Sequence, residues 1–289
     1  MYKKILIPLD GSKLAEHILP YARFLARALG IPVELLRVND PARLAAYSPP
    51  LQGSEYLEAV ARSFPDINSV TREVALGKAA EVIADWDAGQ AQTLIAMATH
   101  GRSGAQRWLL GSVADKVLHG SRNHLLLVRP GQGAISEGEA ALKTVVVALD
   151  GSDLAETVLP YVTELARKAK LELILVRVYS VLPPAYDAEG YVPDLERLAQ
   201  EIRAEAQSYL ERKSKELRDE GADRVSQVLL KGDAGGEIIA YAKRTPGNLV
   251  AMCTHGRSGI GRWVLGSVTE RVVRHSGDPV LVIRAAPES

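Results

Sequence analysis

Residues 98–112 read ATHGRSGAQRWLLGS and residues 253–267 read CTHGRSGIGRWVLGS. The same glycine-studded fifteen-mer stands twice in one chain, with Ala98 in one copy and Cys253 in the other at its first position. Working outward from it, a constant shift of 155 relates Gly77 to Gly232, His100 to His255, Gly111 to Gly266 and Val128-Arg129 to Ile283-Arg284. Nearer the N-terminus the shift is 140. ILIPLDGSKLAEHILPYARFLARAL (5–29) returns as VVVALDGSDLAETVLPYVTELARKA (145–169), and LLRV (35–38) as LVRV (175–178). The repeat period is a whole domain and not a solenoid unit.

Each copy alternates short apolar runs with helical spacing. In the first copy KKILIPL, IPVELLRV, SVTREVAL, TLIAMA and HLLLVR read as strands. Leu14, Ile18, Ala22, Leu25, Ala26 and Leu29 follow strand one at helical spacing, with Pro20 (and Pro160 in the second copy) expected to kink that helix. KAAEVIADWDA and GSVADKVLHGS supply two more helices. Five strands separated by helices imply an α/β fold with an open, doubly wound parallel sheet in each copy. PGQGAISEGEAA (130–141) has three glycines and no apolar periodicity, and reads as a linker. The expected organisation is a domain over 1–130, a linker over 131–142 and a second domain over 143–289. The 15-residue change in shift falls between strands two and three. There 193–221 is a long charged helix against SEYLEAVARSF (54–64) in the first copy. Neutral length variation and docking of a partner both account for it.

Bulk properties narrow the function. The chain has 289 residues, 47% hydrophobic and 24% charged, which is ordinary for a globular protein. With 35 basic and 35 acidic residues, no global field favours nucleic acid or an anionic membrane. A lone cysteine, Cys253, excludes an intrachain disulfide and suits a reducing compartment. MYKKILIPLDGS is too short in its apolar run for a signal segment, and no run approaches the roughly 18 apolar residues of a membrane span. The expectation is a soluble, cytoplasmic protein.

In doubly wound sheets ligands bind beyond the carboxyl ends of the strands, where the strand order reverses. The loops after strands one and four, at Asp10 and Ala98 and at Asp150 and Cys253, are therefore the candidate sites. Glycine lets a ligand approach backbone without meeting a Cβ, and a helix starting near Ser112 or Ser267 offers unpaired N–H groups suited to a phosphate. Ser112 and Ser267 either cap that helix or give a hydroxyl to an anion. His100, Arg102, His255 and Arg257 add donors and charge. The loop is not a P-loop, since no Gly-Lys-Ser/Thr follows, nor a nucleophile elbow. His17, His100, His119 and His124 lack metal-ligand spacing.

LDGS after strand one, together with Ala98-x2-Gly101-x9-Gly111-Ser112 and Cys253-x2-Gly256-x9-Gly266-Ser267, resembles the universal stress protein family over both copies. The resemblance implies strand order 3-2-1-4-5 and ATP (or ADP or AMP) held between strands one and four in the binding members, with Mg2+ as counter-ion. By position, Asp10 beside Pro8 would meet the ribose or adenine side and Val38 the adenine. Gly101, Gly111, Ser112 and Val113 would hold the phosphates. Asp150, Val178, Gly256, Gly266, Ser267 and Val268 match them in the second copy. The family's first glycine is replaced by Ala98 and Cys253. Both close a strand, where φ is negative, so a side chain is expected to be tolerated there. Cys253 reads as an inert small hydrophobe, with a thiol sensor as the alternative.

Three functions follow: a nucleotide-dependent stress or signalling protein, the same fold acting through protein contacts with one or no nucleotide, and a slow ATPase. For the last, Asp10 or Asp150 would hold magnesium and Arg102 or Arg257 would clamp the γ-phosphate. The apolar last strands are edge strands in this order and invite pairing. An intrachain pseudo-dimer or a homodimer is expected.

Overall fold

The computed structural model describes residues 2–41, 52–86, 92–101, 110–131, 138–181, 195–254 and 265–284. The first half contains β1 (Lys4–Pro8), α1 (Lys13–Glu16), α2 (Leu19–Leu29), β2 (Val33–Asn39), α3 (Gln52–Ala61), β3 (Val70–Leu76), α4 (Ala79–Asp85), β4 (Thr93–Ala98), α5 (Ser112–Gly120) and β5 (His124–Val128). The second repeats it with β6 (Thr144–Ala148), α6 (Asp153–Glu156), α7 (Leu159–Ala169), β7 (Glu172–Tyr179), α8 (Leu195–Asp219), β8 (Val225–Lys231), α9 (Ala234–Lys243), β9 (Asn248–Cys253), α10 (Ser267–His275) and β10 (Val280–Ile283).

All ten strands form one sheet in the order β3-β2-β1-β4-β5-β10-β9-β6-β7-β8. Each half is thus a 3-2-1-4-5 sheet, as expected, and within each half every pairing is parallel. The halves meet edge to edge where β5 and β10 pair antiparallel, with Leu126 opposite Leu281. Those two leucines stand 155 apart and so occupy equivalent places in the repeat. A local two-fold axis therefore passes between them. Both are fully buried, which contributes roughly 1.5–3 kcal/mol per side chain.

Alternation along the strands sends successive residues to opposite faces of the sheet. Leu126 belongs to an apolar cluster with Ile5, Leu25, Val147 and Leu165, whereas Leu125 and Leu127 join Ile95, Val117, Val250 and Val272. Each cluster contains residues of both halves, so the core on each face runs unbroken across the seam.

The helix expected to kink at Pro20 is two helices. α1 ends at Glu16, and Pro20 lies in the first turn of α2, where the N–H it lacks has no intrahelical partner anyway. Pro160 does the same for α7. At the far end of α2, Gly30 takes the left-handed conformation, φ +69°. Its counterpart after α7 is Lys170, φ +55°. A side chain there costs roughly 1–2 kcal/mol. Lys170→Gly is therefore expected to stabilise the fold by about 1 kcal/mol, seen as a higher denaturant midpoint at unchanged slope.

The length difference between the second helices is large: α8 has 25 residues and α3 has 10. The C-terminal part of α8 packs on the edge strand β8. Ser214 Oγ donates to Gln227 Oε1 (2.9 Å), and Arg218 Nη2 donates to the Val225 carbonyl (2.6 Å). β3, under the shorter helix, leaves Leu76 exposed. The end of the linker is anchored, since Arg23 donates to the Gly138 carbonyl and the Ala140 N–H to the Pro20 carbonyl.

Candidate functional site

The carboxyl ends of β1 and β4 converge on one another in the first half, and those of β6 and β9 in the second. Asp10 follows β1 in an Asp-Gly-Ser turn. Its Oδ1 accepts from the Ser12 N–H (2.9 Å) and the Ser12 hydroxyl (2.6 Å), while Ser12 in turn caps α1 through Ala15 N–H. The second copy repeats this turn at the same distances, with Asp150 accepting from Ser152. Gly11 and Gly151 sit at φ +84° and +89°, a left-handed conformation that lets the chain double back.

The other carboxylate oxygen of Asp10 faces the loop after β4. A Cβ on Gly101 would lie 2.3 Å from Asp10 Oδ2, so only glycine leaves room between them. The loop then closes on itself: Gly111 N–H donates to the Thr99 carbonyl, and Gly266 N–H to the Thr254 carbonyl, both at 2.8 Å. A Cβ on Gly111 would lie 2.8 Å from that Thr99 oxygen.

Gly111 and Gly266 are also the N-caps of α5 and α10, and among the described residues no side chain caps either helix. Ser112 and Ser267 are the first helical residues and are exposed, so they do not cap. The first-turn N–H groups and the positive end of each helix dipole are thereby presented at the loop. His100 stands beside them. Its Nδ1 shares a hydrogen bond with Thr99 Oγ1 (2.9 Å), and its Nε2 is buried without a partner among the described residues. These features fit an anion: a cradle that a Cβ would fill, uncapped helical N–H groups and an unpaired ring nitrogen.

The remaining expected residues fall around this centre. Pro8 ends β1, opposite Leu36. Val38 and Val178 are half-buried near the carboxyl ends of β2 and β7, against one face of the core. Val113 and Val268 are half-buried second residues of α5 and α10. Ala98 and Cys253 are buried strand ends, and neither has a positive φ. Cys253 Sγ accepts from Thr157 Oγ1 at 3.3 Å. Arg102, His255, Gly256 and Arg257 lie outside the described residues. No group of three or more potential metal ligands occurs among the described residues.

Sequence reading missed one pair of residues, Arg37 and Arg177. Arg177 is 4% exposed, and its guanidinium abuts the Asp-Gly-Ser turn. A Cβ on Gly151 would lie 3.1 Å from Cζ. The guanidinium also lies 4.8 Å from the Tyr209 ring centroid, as Arg37 lies 5.6 Å from Tyr56. Both tyrosine hydroxyls donate to the glutamate of the repeated Leu-Ala-Glu, Tyr56 to Glu16 and Tyr209 to Glu156. Burial and those carboxylates push both phenols above their ordinary range. The available signal was an arginine inside the otherwise apolar LLRV and LVRV.

Fold and site together define a tandem α/β protein that carries, at the strand carboxyl ends of each half, an Asp-Gly-Ser turn and a helix led by a glycine N-cap. A model of the universal stress protein family matches residues 1–129 and again 141–284, and the chain belongs to that family. A universal stress protein of Methanocaldococcus jannaschii is 30% identical over 151 residues, 52% of this chain and 86% of that protein. One of Mycolicibacterium smegmatis is 20% identical over 295 residues, covering 97% of this chain and 96% of its own. The crystal structure of a universal stress protein from Archaeoglobus fulgidus superposes with a TM-score of 0.67 at 20% identity, covering 99% of this chain and 100% of that one.

Proposed function

We propose that the chain is a nucleotide-binding universal stress protein that takes ATP, or ADP or AMP, with Mg2+ as counter-ion, and signals by occupancy rather than by fast turnover. The observation that carries this reading is the meeting of the Asp10 carboxylate with the Gly101 backbone, beside the uncapped N-terminus of α5. In it, Asp10 and Val38 hold the ribose and adenine end. Gly101, Gly111, Ser112 and Val113 hold the phosphates, with His100 and Arg102 as further donors. Asp150, Val178, Gly256, Gly266, Ser267 and Val268 act likewise in the second half, with His255 and Arg257. Pro8, Ala98 and Cys253 line the strand ends. The proposal places domain boundaries at 130 and 143 and the protein in the cytoplasm. No helix among the described residues is long and apolar enough to cross a membrane.

Calorimetric titration with ATP, ADP and AMP at sub-millimolar concentration is expected to saturate at two nucleotides per chain. Absence of uptake for all three would refute the reading. Hydrolysis is expected to stay below about 1 s⁻¹, the low end of ordinary enzyme rates, because one carboxylate per site offers little purchase for a positioned nucleophile and metal.

A second reading, in which one half alone binds, is favoured by the Thr157–Cys253 contact. It fills with a hydroxyl and a sulfur the place where the first half has His17 and the Ala98 methyl. A stoichiometry of one, unchanged by Gly266→Val and abolished by Gly111→Val, would select it. Homodimerisation of the fused chain is a separate proposal, read from sedimentation.

A further inference from the structure

We propose that Arg177 is a positioning residue for the second nucleotide site, and that Glu205 on the long helix α8 sets where it stands. The inference rests on the nucleotide reading above and adds a regulator to it. Arg177 projects from β7 under the turn that presents Asp150. Its guanidinium is buried and touches the left-handed Gly151, whose missing side chain leaves the contact possible. Nη1 and Nη2 both donate to Glu205, at 3.2 and 2.8 Å, and the ring of Tyr209 lies beneath Cζ at 4.8 Å. Tyr209 is fixed by Glu156, which also pairs with Lys213 at 2.8 Å. Glu205, Tyr209 and Lys213 of α8, with Glu156 of α6, therefore determine where the guanidinium stands, and the guanidinium in turn packs against the turn that presents the Asp150 carboxylate.

Two-point donation to a carboxylate fixes the guanidinium plane as a single hydrogen bond does not. The first half keeps the arginine and the tyrosine as Arg37 and Tyr56. Counting from Tyr56 and Tyr209, however, Gln52 stands where the second half has Glu205. The glutamate that pairs with Arg177 thus has no counterpart at that place in the first-half sequence, and it hangs from a helix that leaves the Glu205 side chain 62% exposed. Anything that engages this stretch of α8 acts on Asp150 through one ion pair.

The test is Glu205→Gln, which gives the second half the first half's residue type at an exposed position. It is read beside Arg177→Lys, both in an Asp10→Ala background so that the second site is titrated alone. ATP affinity is expected to fall roughly fivefold in the first and about tenfold in the second. Inorganic tripolyphosphate, which engages the phosphate end only, is expected to bind each variant as tightly as the background chain. Equal ATP affinity in Glu205→Gln and the background would overturn the inference and leave the nucleotide reading standing. Parallel loss of ATP and tripolyphosphate would also overturn it, by showing general damage. A wild-type chain that takes up no nucleotide at all overturns both.

Discussion

Replacing Gly111 by valine is expected to lower the stability of the fold by about 1–3 kcal/mol, the range for overpacking a close contact, and to abolish nucleotide uptake at the first half. The backbone at Gly111 is ordinary, with φ −61° and ψ 145°, so conformational freedom is not what the position demands. It demands space. Any Cβ would sit 2.8 Å from the Thr99 carbonyl oxygen, the atom to which the Gly111 N–H donates. The branched side chain must push the end of β4 away from the start of α5. That movement opens the loop and turns the uncapped helix end away from Asp10. Gly266→Val should do the same to the second half, where Gly266 closes on Thr254. Denaturant melts and calorimetric stoichiometry read both effects. A variant of wild-type stability that still binds two nucleotides would show that loop closure does not shape the site.

Acidification from pH 6.5 to about 4 is expected to remove about 3 kcal/mol of stability through one side chain, His124. This imidazole sits at the start of β5, beside the seam. Its Nδ1 hydrogen-bonds the Tyr2 hydroxyl at 2.9 Å, and the Tyr161 ring of the other half meets it edge-on at 4.4 Å. Burial, then the positive charge of Arg284, lowers its pKa to about 4, against a smaller opposing contribution from a backbone hydrogen bond with Arg284. The folded state thus takes up a proton less readily than the unfolded chain, whose histidine titrates near 6.5. The contribution is complete above pH 6.5, declines as pH falls, and is spent near pH 4. Comparing wild type with His124→Phe across this range isolates the residue. The variant's stability should fall less over the same window, and parallel curves would remove His124 from the account.

Much of the architecture can be read from the repeat itself. The shift of 140 fixes strand one, the Asp-Gly-Ser turn and strand two, and the shift of 155 fixes the loop glycines. Apolar runs such as TLIAMA sit in the sheet interior because nothing polar interrupts them. Pro20 is visible in the sequence, but proline is compatible both with a kink and with a first helical turn. The choice depends on where α1 ends, which Glu16 and His17 do not announce. The seam was legible as two apolar edge strands expected to pair, but HLLLV carries no mark of whether its partner lies in the same chain or in a second one; the structure pairs it with β10. The equivalence of Leu126 and Leu281 emerges only when the strands lie side by side. Arg37 and Arg177 escaped notice because an arginine in a strand reads as surface. Aromatic rings and a carboxylate from a distant helix are what make its burial tolerable.

The antiparallel seam has a consequence for how this protein meets its surroundings. Parallel strands within each half carry a common direction, and a reversal at β5–β10 inverts that direction for the whole second half. The Asp10 turn and the Asp150 turn, each at the carboxyl ends of its own half's strands, consequently lie toward opposite poles of the molecule. No single small partner resting on one pole can inspect both. The fused chain is two-headed, with a continuous core holding the heads apart.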